Sequence, residues 1–347
     1  QIIRSSDIDG DGDLDLFISG RNVPGAYPTA PKSSILINNN GMFENATSSW
    51  SNELSTIGMV TDSEFADFDS DGKTDLIICG EWMPIQFFRN TGSSLENVTA
   101  KIGDPNMKGW WYSLTVADLD DDGDLDIVAG NVGLNNKFHP TEDKPLEIYM
   151  SDFDKNGTND IVLAKHSDSH CLPIRGRECS SYQMPFLKDK FPTFSQFANA
   201  DLNALYGKEN LDKSIHLQAT EFRSMILTND GGKFSFLPLP NEAQVAPINE
   251  SIIMDVSGDG HKDIIAAGNM YGAEVETARY DAGIGCVLLG DSKMNFKPIS
   301  VSASGFYVPH NVKALHSIQL SNESIGVIVG NNDAKIQIIA PNTKPPL

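Results

Sequence analysis

Five segments of the sequence share one spacing of oxygen-bearing side chains, D-x-D-x-D-G-x-x-D or a near variant. They begin at Asp7, Asp67, Asp118, Asp152 and Asp255, and a run of apolar residues follows each one. In such a segment the side chains at positions 1, 3 and 5 converge on one point, and a glycine at position 6 permits the sharp turn. The chemistry that this spacing suits is the binding of a cation by oxygen ligands.

Calcium is the cation that the spacing favours, because Ca²⁺ takes about six to eight oxygen ligands in a flexible shell. We expect one ligand from the carbonyl of position 7 and another from the carboxylate at position 9. Mg²⁺ is less favoured, since it requires a stiff octahedron and retains its waters. The predicted ligands of up to five Ca²⁺ ions are Asp7, Asp9, Asp11, Asp13 and Asp15; Asp67, Asp69, Asp71, Lys73 and Asp75; Asp118, Asp120, Asp122, Asp124 and Asp126; Asp152, Asp154, Asn156, Thr158 and Asp160; and Asp255, Ser257, Asp259, His261 and Asp263.

These loops differ from the loops of EF-hands. An EF-hand closes its ligand shell with Glu at position 12. Position 12 here is occupied by Ile18, Ile78, Ala129, Leu163 and Ala266. The Asp at position 9 replaces that ligand, and the chain then enters an apolar, β-branched run. Asn156 at position 5 of the fourth loop and Ser257 at position 3 of the fifth predict weaker binding in those two loops.

The charge of the chain is concentrated in the same loops, which hold 21 of the 47 Asp and Glu residues. Without a cation their carboxylates would repel one another. The formal net charge of −21 argues against nucleic acid or an anionic membrane surface as a partner. No apolar run approaches the roughly 20 residues of a membrane span, so we expect no membrane insertion.

Strand-like segments surround every loop, one leading in, as in "SLTVADLD", and one leading out, as in "DIVAG". Hairpins with Asn/Gly-rich turns follow, for example over 33–47 and 85–99. A sixth unit from His316 keeps the strands and lacks the carboxylates. Repeated sheets of this size predict an all-β fold, a β-propeller of six or seven four-stranded antiparallel blades that occupies residues 1–347 as one domain.

Two irregularities interrupt the repeat. Asp118 and Asp152 are only 34 residues apart, so the third blade must be abbreviated or completed from elsewhere. An insertion over 166–214 is predicted to be partly helical, with a helix that Thr193 and Gln196 cap and Gly207 ends. The insertion is either a recognition element or a packed cap over one blade.

No catalytic motif is recognisable, since the sequence has no nucleophile elbow, no H-E-x-x-H and no phosphate loop. The histidines, including His166, are interpreted as scattered polar loop residues. Cys171 and Cys179 form a local disulfide or are two free thiols. The segment "GWWYSL" around Trp110 and Trp111 forms either a sugar-stacking platform or part of the core.

The repeated loops resemble the FG-GAP or VCBS repeats of integrin α-subunit propellers. Stretches such as "GEWMPIQFFRN" and "LPLPNEAQVAPI" are more narrowly similar to bacterial cartilage acidic protein-like, ASPIC/UnbV-associated VCBS proteins. The resemblance implies a secreted, surface-exposed or periplasmic propeller whose blades are braced by Ca²⁺, usually without catalysis. It also implies that the chain is part of a larger surface or secreted protein.

The function expected on these grounds is an extracellular adhesion or ligand-binding module for a protein or glycan. The alternative is a calcium-dependent polysaccharide lyase or hydrolase on a propeller scaffold. An enzyme would bring basic residues and His together with a metal loop in the central depression. A binding module would keep its metals away from that depression.

Overall fold

The computed structural model describes residues 2–167, 170–273, 277–321, 324–332 and 334–340. Its strands are β1 (Ile2–Ser6), β2 (Asp15–Ser19), β3 (Ser34–Asn39), β4 (Met42–Asn45), β5 (Met59–Ala66), β6 (Asp75–Met83), β7 (Gln86–Asn90), β8 (Leu95–Asn97), β9 (Gly109–Trp110), β10 (Ser113–Ala117), β11 (Asp126–Gly130), β12 (Leu146–Ser151), β13 (Asp160–Ser167), β14 (His170–Pro173), β15 (Ile215–Ala219), β16 (Met225–Asn229), β17 (Phe234–Pro238), β18 (Ile248–Met254), β19 (Asp263–Gly268), β20 (Cys286–Leu289), β21 (Lys297–Ile299), β22 (Asn311–Gln319), β23 (Ile325–Asn332) and β24 (Gln337–Ile339). The helices are α1 (Thr47–Trp50), α2 (Thr99–Ile102), α3 (Arg177–Gln183), α4 (Phe186–Lys190), α5 (Phe194–Ala198), α6 (Leu202–Tyr206), α7 (Lys208–Lys213) and α8 (Val301–Ser304), with 3₁₀ turns at Asn52–Thr56 and Asn241–Gln244.

Five antiparallel sheets lie side by side in the order of the chain. Their strand orders are β1-β2-β3-β4, then β5-β6-β7-β8 with β9 added on β6, then β10-β11-β16-β17, then β18-β19-β20-β21, and finally β22-β23-β24. The first strands of successive sheets contact one another, β1 with β5, β5 with β10, β10 with β18 and β18 with β22. This row of small sheets is the arrangement of propeller blades, and the predicted all-β propeller fold is confirmed.

The apolar alternation of the strands places the core between neighbouring blades. One cluster between the second and third blades contains Phe68, Phe87, Trp111 and Phe234. The rings of Phe87 and Phe234 stack with centroids 4.5 Å apart. Phe68 stands at position 2 of an acidic loop, so the loop itself is anchored in the core. Burial of such a side chain contributes about 1.5–3 kcal/mol.

The third blade is interrupted by a long excursion of the chain. Its second strand β11 ends at Gly130, and the strand that pairs with it next, β16, begins only at Met225. The excursion contains a separate sheet of order β14-β13-β12-β15, and the fourth acidic loop joins β12 to β13 in that sheet. The short spacing between Asp118 and Asp152 therefore arises because the third blade is completed from elsewhere. The sequence predicts that the fourth repeat unit is a blade of the propeller. In the structure this unit forms the inserted sheet, outside the row of blades.

The region 166–214 lies within this excursion and contains five short helices. The capping box of Thr193 and Gln196 is present, and Gly207, with φ +85°, follows the last residue of α6. The single helix predicted after Thr193 is wrong: α5 ends at Ala198 and α6 begins at Leu202. Asp201 accepts a hydrogen bond from the Ala204 amide at 2.7 Å, and this N-cap starts a new helix in place of continuing the old one.

The inserted sheet packs between the blades and these helices. Its side chains Ile148 and Leu217 lie in one apolar cluster with Trp82 of the second blade and with Phe222, which precedes β16. Val162 and Ala164, on the opposite face, pack against the helices. No disulfide joins Cys171 and Cys179. None of the helices in the described ranges has the length and apolar character needed to cross a lipid bilayer.

Candidate metal centres and ligand cavity

All five acidic loops adopt one conformation. The glycines at position 6, Gly12, Gly72, Gly123, Gly157 and Gly260, have φ between +86° and +97°. Their amides donate to Oδ2 of the first Asp of the same loop, at 3.0, 2.8, 3.1, 2.9 and 2.9 Å in chain order. A side chain larger than glycine would be strained at that φ, so the recurring glycine follows from the loop geometry.

The Asp at position 9 is the buried anchor of every loop. In the third loop, Asp126 accepts from the Leu119 amide at 3.0 Å and from the Asn229 amide at 2.9 Å. It thereby joins position 2 of its loop to the third strand of the blade. Asp15, Asp75 and Asp263 make the corresponding pair of bonds. Asp160 accepts the hydrogen bond from position 2 of its loop, the Phe153 amide, at 3.0 Å.

Burial strongly disfavours the charged form of two of these anchors. It raises the pKa of Asp75 to about 7 and that of Asp126 to about 6, with the neighbouring loop carboxylates adding to the rise. The pKa of Asp120 is raised as well, by desolvation and by the charges of Asp122 and Asp118. A cation at the loop would reverse this effect, because it favours the ionised form of each carboxylate.

Four loops bring three carboxylates together with oxygens within 4.8 Å of one another. The groups are Asp7, Asp9 and Asp15; Asp67, Asp69 and Asp71; Asp118, Asp120 and Asp122; and Asp152, Asp154 and Asp160. Among the described residues, the fifth loop from Asp255 forms no such group. Its Ser257 hydroxyl donates to Asp255 Oδ1 at 3.3 Å. At this position the other four loops have an Asp.

Calcium fits the residues of these loops. Asp118 Oδ1 in the third loop and Asp13 Oδ1 in the first are both buried, and neither oxygen has a hydrogen-bond partner. A buried carboxylate oxygen without a donor is unfavourable unless a cation or water contacts it. The donor set consists of carboxylate and carbonyl oxygens, which Ca²⁺ prefers.

The side chains at position 7 have other partners. Asp13 Oδ2 accepts from the Asn40 amide at 3.0 Å, and Asp124 Oδ2 accepts from the Gly231 amide at 2.8 Å. Both hold the turn between the third and fourth strands of their blades. Lys73 at the same position lies 2.8 Å from Asp71 Oδ2. Asp13 and Asp124 are thus engaged through Oδ2 and Lys73 through its ammonium group, and the carbonyls of position 7 stay predicted ligands.

Asparagines at the ends of third strands link neighbouring blades, a feature that sequence reasoning missed. Asn90 Nδ2 donates to the Ile8 carbonyl of the preceding blade at 2.8 Å. Asn229 Nδ2 donates in the same way to the Phe68 carbonyl at 2.8 Å. Both asparagines are buried. The signal in the sequence is the Asn at the end of "QFFRN" and of "MILTN". The sequence pattern alone predicts only a turn at these two residues.

A cavity of about 380 Å³ lies between the ends of the blades and the inserted sheet. Its aromatic lining residues are Tyr27, Trp82, Trp110, Tyr112, Phe138 and Tyr280, and its charged ones are Arg21, Glu81, Lys137 and Arg175. The two tryptophans of "GWWYSL" separate here: Trp111 is fully buried in the core, and Trp110 lines the cavity.

An ion pair between the half-exposed Arg21 and the buried Glu81 lies in the wall of this cavity. Arg21 Nη2 contacts Glu81 Oε1 at 2.5 Å, and Tyr27 donates to Glu81 Oε2 at 3.2 Å. Burial raises the pKa of Glu81 and Arg21 opposes that rise. The next residue, Trp82, has φ +62° and donates its indole N–H to the Tyr27 hydroxyl at 2.6 Å. A bulky residue in this left-handed region costs about 1–3 kcal/mol and is typical of ligand sites.

The first two acidic loops lie at the ends of their blades that are opposite to the cavity. Strand β2 begins at Asp15 of the first loop and runs away from it toward Arg21. Strand β6 likewise begins at Asp75 and carries Glu81 near its far end. Six residues of strand span about 20 Å. The first two loops are thus separated from the cavity by the length of a blade.

A family model for FG-GAP-like repeats matches residues 7–78 and 67–129. Among curated proteins, no sequence matches the chain. A lectin from Agrocybe aegerita that recognises non-reducing terminal N-acetylglucosamine has 17% identity and a TM-score of 0.29, with 86% of this chain and 65% of the lectin covered. The chain therefore spans just under two thirds of the lectin's length.

Two further solved structures are similar over most of this chain. An endo-1,4-beta-xylanase from Bacteroides thetaiotaomicron has 10% identity and a TM-score of 0.34, with 97% of this chain and 87% of the xylanase covered. The biofilm matrix protein Bap1 of V. cholerae has 9% identity and a TM-score of 0.30, with 99% of this chain and 69% of Bap1 covered.

Proposed function

We propose that the protein is an extracellular, calcium-binding β-propeller that acts as an adhesion or ligand-binding module, and the match of residues 7–129 to the family model for FG-GAP-like repeats supports this proposal. The ligand is a protein segment or a glycan. The observation that carries the proposal is the common conformation of the acidic loops, four of which gather three carboxylates.

Calcium would be held by the side-chain oxygens at positions 1, 3, 5 and 9 of each loop, which are carboxylates except at Asn156 and Ser257. When bound, it neutralises the carboxylates and joins the first strand of a unit to the second. The chain's own residues do the positioning: Asp126 fixes the loop to the third strand, and Gly123 aims its amide at Asp118. The fifth loop, with Ser257 in place of a carboxylate, is the weakest site.

The aromatic cavity is the proposed ligand site. Its volume falls within the range of about 300–1,000 Å³ that is usual for small-ligand sites. Aromatic faces such as that of Trp110 stack on the apolar face of a sugar ring, while Arg21, Glu81 and Tyr27 supply hydrogen-bonding groups at one wall. The strained backbone of Trp82 supports the same assignment.

The separation of the first two loops from the cavity favours a binding module over the lyase or hydrolase. In an enzyme that uses calcium directly, a loop would border the site where the substrate lies. Here Asp15 and Asp75 begin strands that end near the cavity, about 20 Å away. A cation in either of these two loops would therefore brace its blade without touching the ligand.

Export of the protein is part of the proposal. The loops lack the bidentate Glu of high-affinity EF-hands and resemble extracellular sites, whose dissociation constants are roughly 10⁻⁴ to 10⁻³ M. Such sites fill only where calcium is abundant, which is the case outside the cell. Isothermal titration that gave nanomolar affinity at all five loops would contradict this assignment.

The ligand is sought on a glycan array in millimolar calcium, with Trp110→Ala beside the unmodified protein. We expect the variant to lose at least tenfold in affinity for the glycan that the unmodified protein selects, because the stacking face is removed. Tyr182→Ala is the matched control, since Tyr182 is an exposed aromatic outside the cavity. Equal loss in both variants, or none in Trp110→Ala, would contradict the assignment of the cavity.

A further inference from the structure

The four strands of the inserted sheet each carry one metal-ligating side chain on the same face. Glu147 lies on β12, His166 on β13, Cys171 on β14 and His216 on β15. His166 pairs directly with Cys171. Glu147 pairs with Ala164 and with Gln218, which are two residues along the strand from His166 and from His216, respectively. Residues that pair directly, or that are two apart along a strand, share one face of a sheet.

The ligand atoms converge on the Glu147 carboxylate. His166 Nε2 lies 3.2 Å from Oε1, Cys171 Sγ lies 3.4 Å from Oε2, and His216 Nε2 lies 3.6 Å from Oε2. The atoms of Glu147, His166 and Cys171 are all within 4.8 Å of one another, and His216, which is not in this group, approaches it through its contact with Glu147 Oε2. In a tetrahedral site with bonds of about 2.0–2.3 Å, neighbouring ligand atoms are about 3.3–3.8 Å apart.

We propose that Glu147, His166, Cys171 and His216 form a zinc site. One thiolate, two imidazoles and one carboxylate are borderline-soft ligands, which suit Zn²⁺ and differ from the all-oxygen sets of the acidic loops. On binding, the Zn–S bond forms as the thiol proton of Cys171 is released to solvent, and no redox change is involved. The proposal does not depend on the ligand or on the calcium sites.

The surroundings of the cluster are those of a positioned site. Tyr149 donates to Glu147 Oε2 at 2.6 Å and Gln218 donates to Oε1 at 3.0 Å, which fixes the carboxylate. The His216 ring stacks on Tyr149 at 4.2 Å between centroids. The side chain of Glu147 is only 7% exposed, whereas those of His166 and His216 are 30% and 37% exposed. An ion can therefore enter from the side of the two histidines.

A cation at this place would clamp all four strands of the sheet. The opposite face of the same sheet contributes Ile148 and Leu163 to the wall of the aromatic cavity. The zinc site would thus stabilise the sheet that forms this wall of the cavity, without contacting a ligand in the cavity.

The test uses Co²⁺ as a spectroscopic probe, added anaerobically to the whole reduced chain with calcium present throughout. A tetrahedral Co²⁺–thiolate site gives intense d–d bands and a sulfur-to-cobalt charge-transfer band. We expect one equivalent of Co²⁺ to produce these bands and one equivalent of Zn²⁺ to remove them. Cys171→Ser should abolish the charge-transfer band, and His166→Ala should weaken Zn²⁺ binding at least tenfold.

Cys286→Ser is the matched control, because Cys286 is a free, half-buried cysteine on a strand of the fourth blade. It should leave the bands unchanged. The proposal is overturned if the unmodified protein shows no thiolate-to-cobalt band, a result that does not depend on how any variant folds. It is also overturned if Cys171→Ser keeps the band.

Discussion

At the scale of single residues, burial and neighbouring charges set the pKa of a glutamate on the first strand of a blade. Glu250 on β18 faces Asp62 and Glu64 on β5 and Arg4 on β1. Arg4 is already engaged, with Nη2 at 2.7 Å from Asp62 and 3.1 Å from Glu64. Desolvation, followed by the charge of Asp62, raises the pKa of Glu250 to about 7 from a usual 4.5. The residue is therefore protonated in the folded protein under mildly acidic conditions.

Glu250→Gln should stabilise the protein at pH 8 and have little effect at pH 5. The folded state binds the Glu250 proton more tightly than the unfolded state does, so its contribution is complete below about pH 4.5 and is lost as the pH rises through about 7. The full shift corresponds to roughly 3 kcal/mol, and we expect about 1–2 kcal/mol after allowing for partial exposure.

The measurement is the free energy of unfolding of both proteins from pH 5 to pH 8 in saturating calcium. Glu209→Gln is the control, because Glu209 is an exposed glutamate on α7 with its side chain 81% accessible. A difference between Glu250→Gln and the unmodified protein that stays constant over this range would show that Glu250 does not titrate there.

At the scale of elements, the asparagine links between blades deserve a direct test. Asn90→Ala removes bonds from Nδ2 to the carbonyls of Ile8 and Thr74 and leaves the buried Ile8 carbonyl without its donor. We expect a loss of about 2–4 kcal/mol in the free energy of unfolding. Asn38 is the equivalent residue of the first blade and donates only to the Leu14 carbonyl of its own blade.

Asn38→Ala should therefore cost only about 1 kcal/mol, since it breaks exposed bonds within one blade. Chemical denaturation of both variants in calcium compares the two costs. Equal costs would mean that the contact between blades contributes nothing beyond the local turn.

The regular elements were predictable because their pattern is local. The acidic spacing, the apolar strands and the Gly at position 6 recur together, so the propeller blades and the loop conformation followed from the sequence. The excursion from Gly130 to Met225 was not predictable in the same way. Nothing local in β11 shows that its partner β16 lies 95 residues later in the chain, although the short spacing of Asp118 and Asp152 indicated that something was missing.

The side-chain clusters that depend on tertiary contacts were missed for the same reason. His166 was interpreted as a scattered loop residue, yet it lies on β13 beside Glu147 and Cys171. Trp110 and Trp111 are adjacent in sequence and serve different parts of the molecule, because successive side chains of an extended segment point in opposite directions.

At the scale of the whole molecule, the central claim is that calcium stabilises the folded chain through the acidic loops. A site filled only in the folded state contributes about 1–3 kcal/mol when calcium is 10- to 100-fold above its dissociation constant. The third loop gathers Asp118, Asp120 and Asp122, whereas the fifth loop forms no such group among the described residues. Occupation of the third loop should therefore contribute more.

The most direct measurement is thermal unfolding of the unmodified protein, Asp126→Ala and Asp263→Ala, each in calcium and in EGTA. Asp126 accepts from the Leu119 and Asn229 amides, and Asp263 accepts from the Val256 and Gly290 amides and also from the Ser257 amide. Each variant is therefore compared with itself in calcium and in EGTA, so that the lost hydrogen bonds cancel. We predict that EGTA lowers the melting temperature of the unmodified protein markedly. Asp126→Ala should be the less stable variant in calcium, and the two variants should converge in EGTA. If each substitution has the same effect in EGTA as in calcium, the loops are not calcium sites.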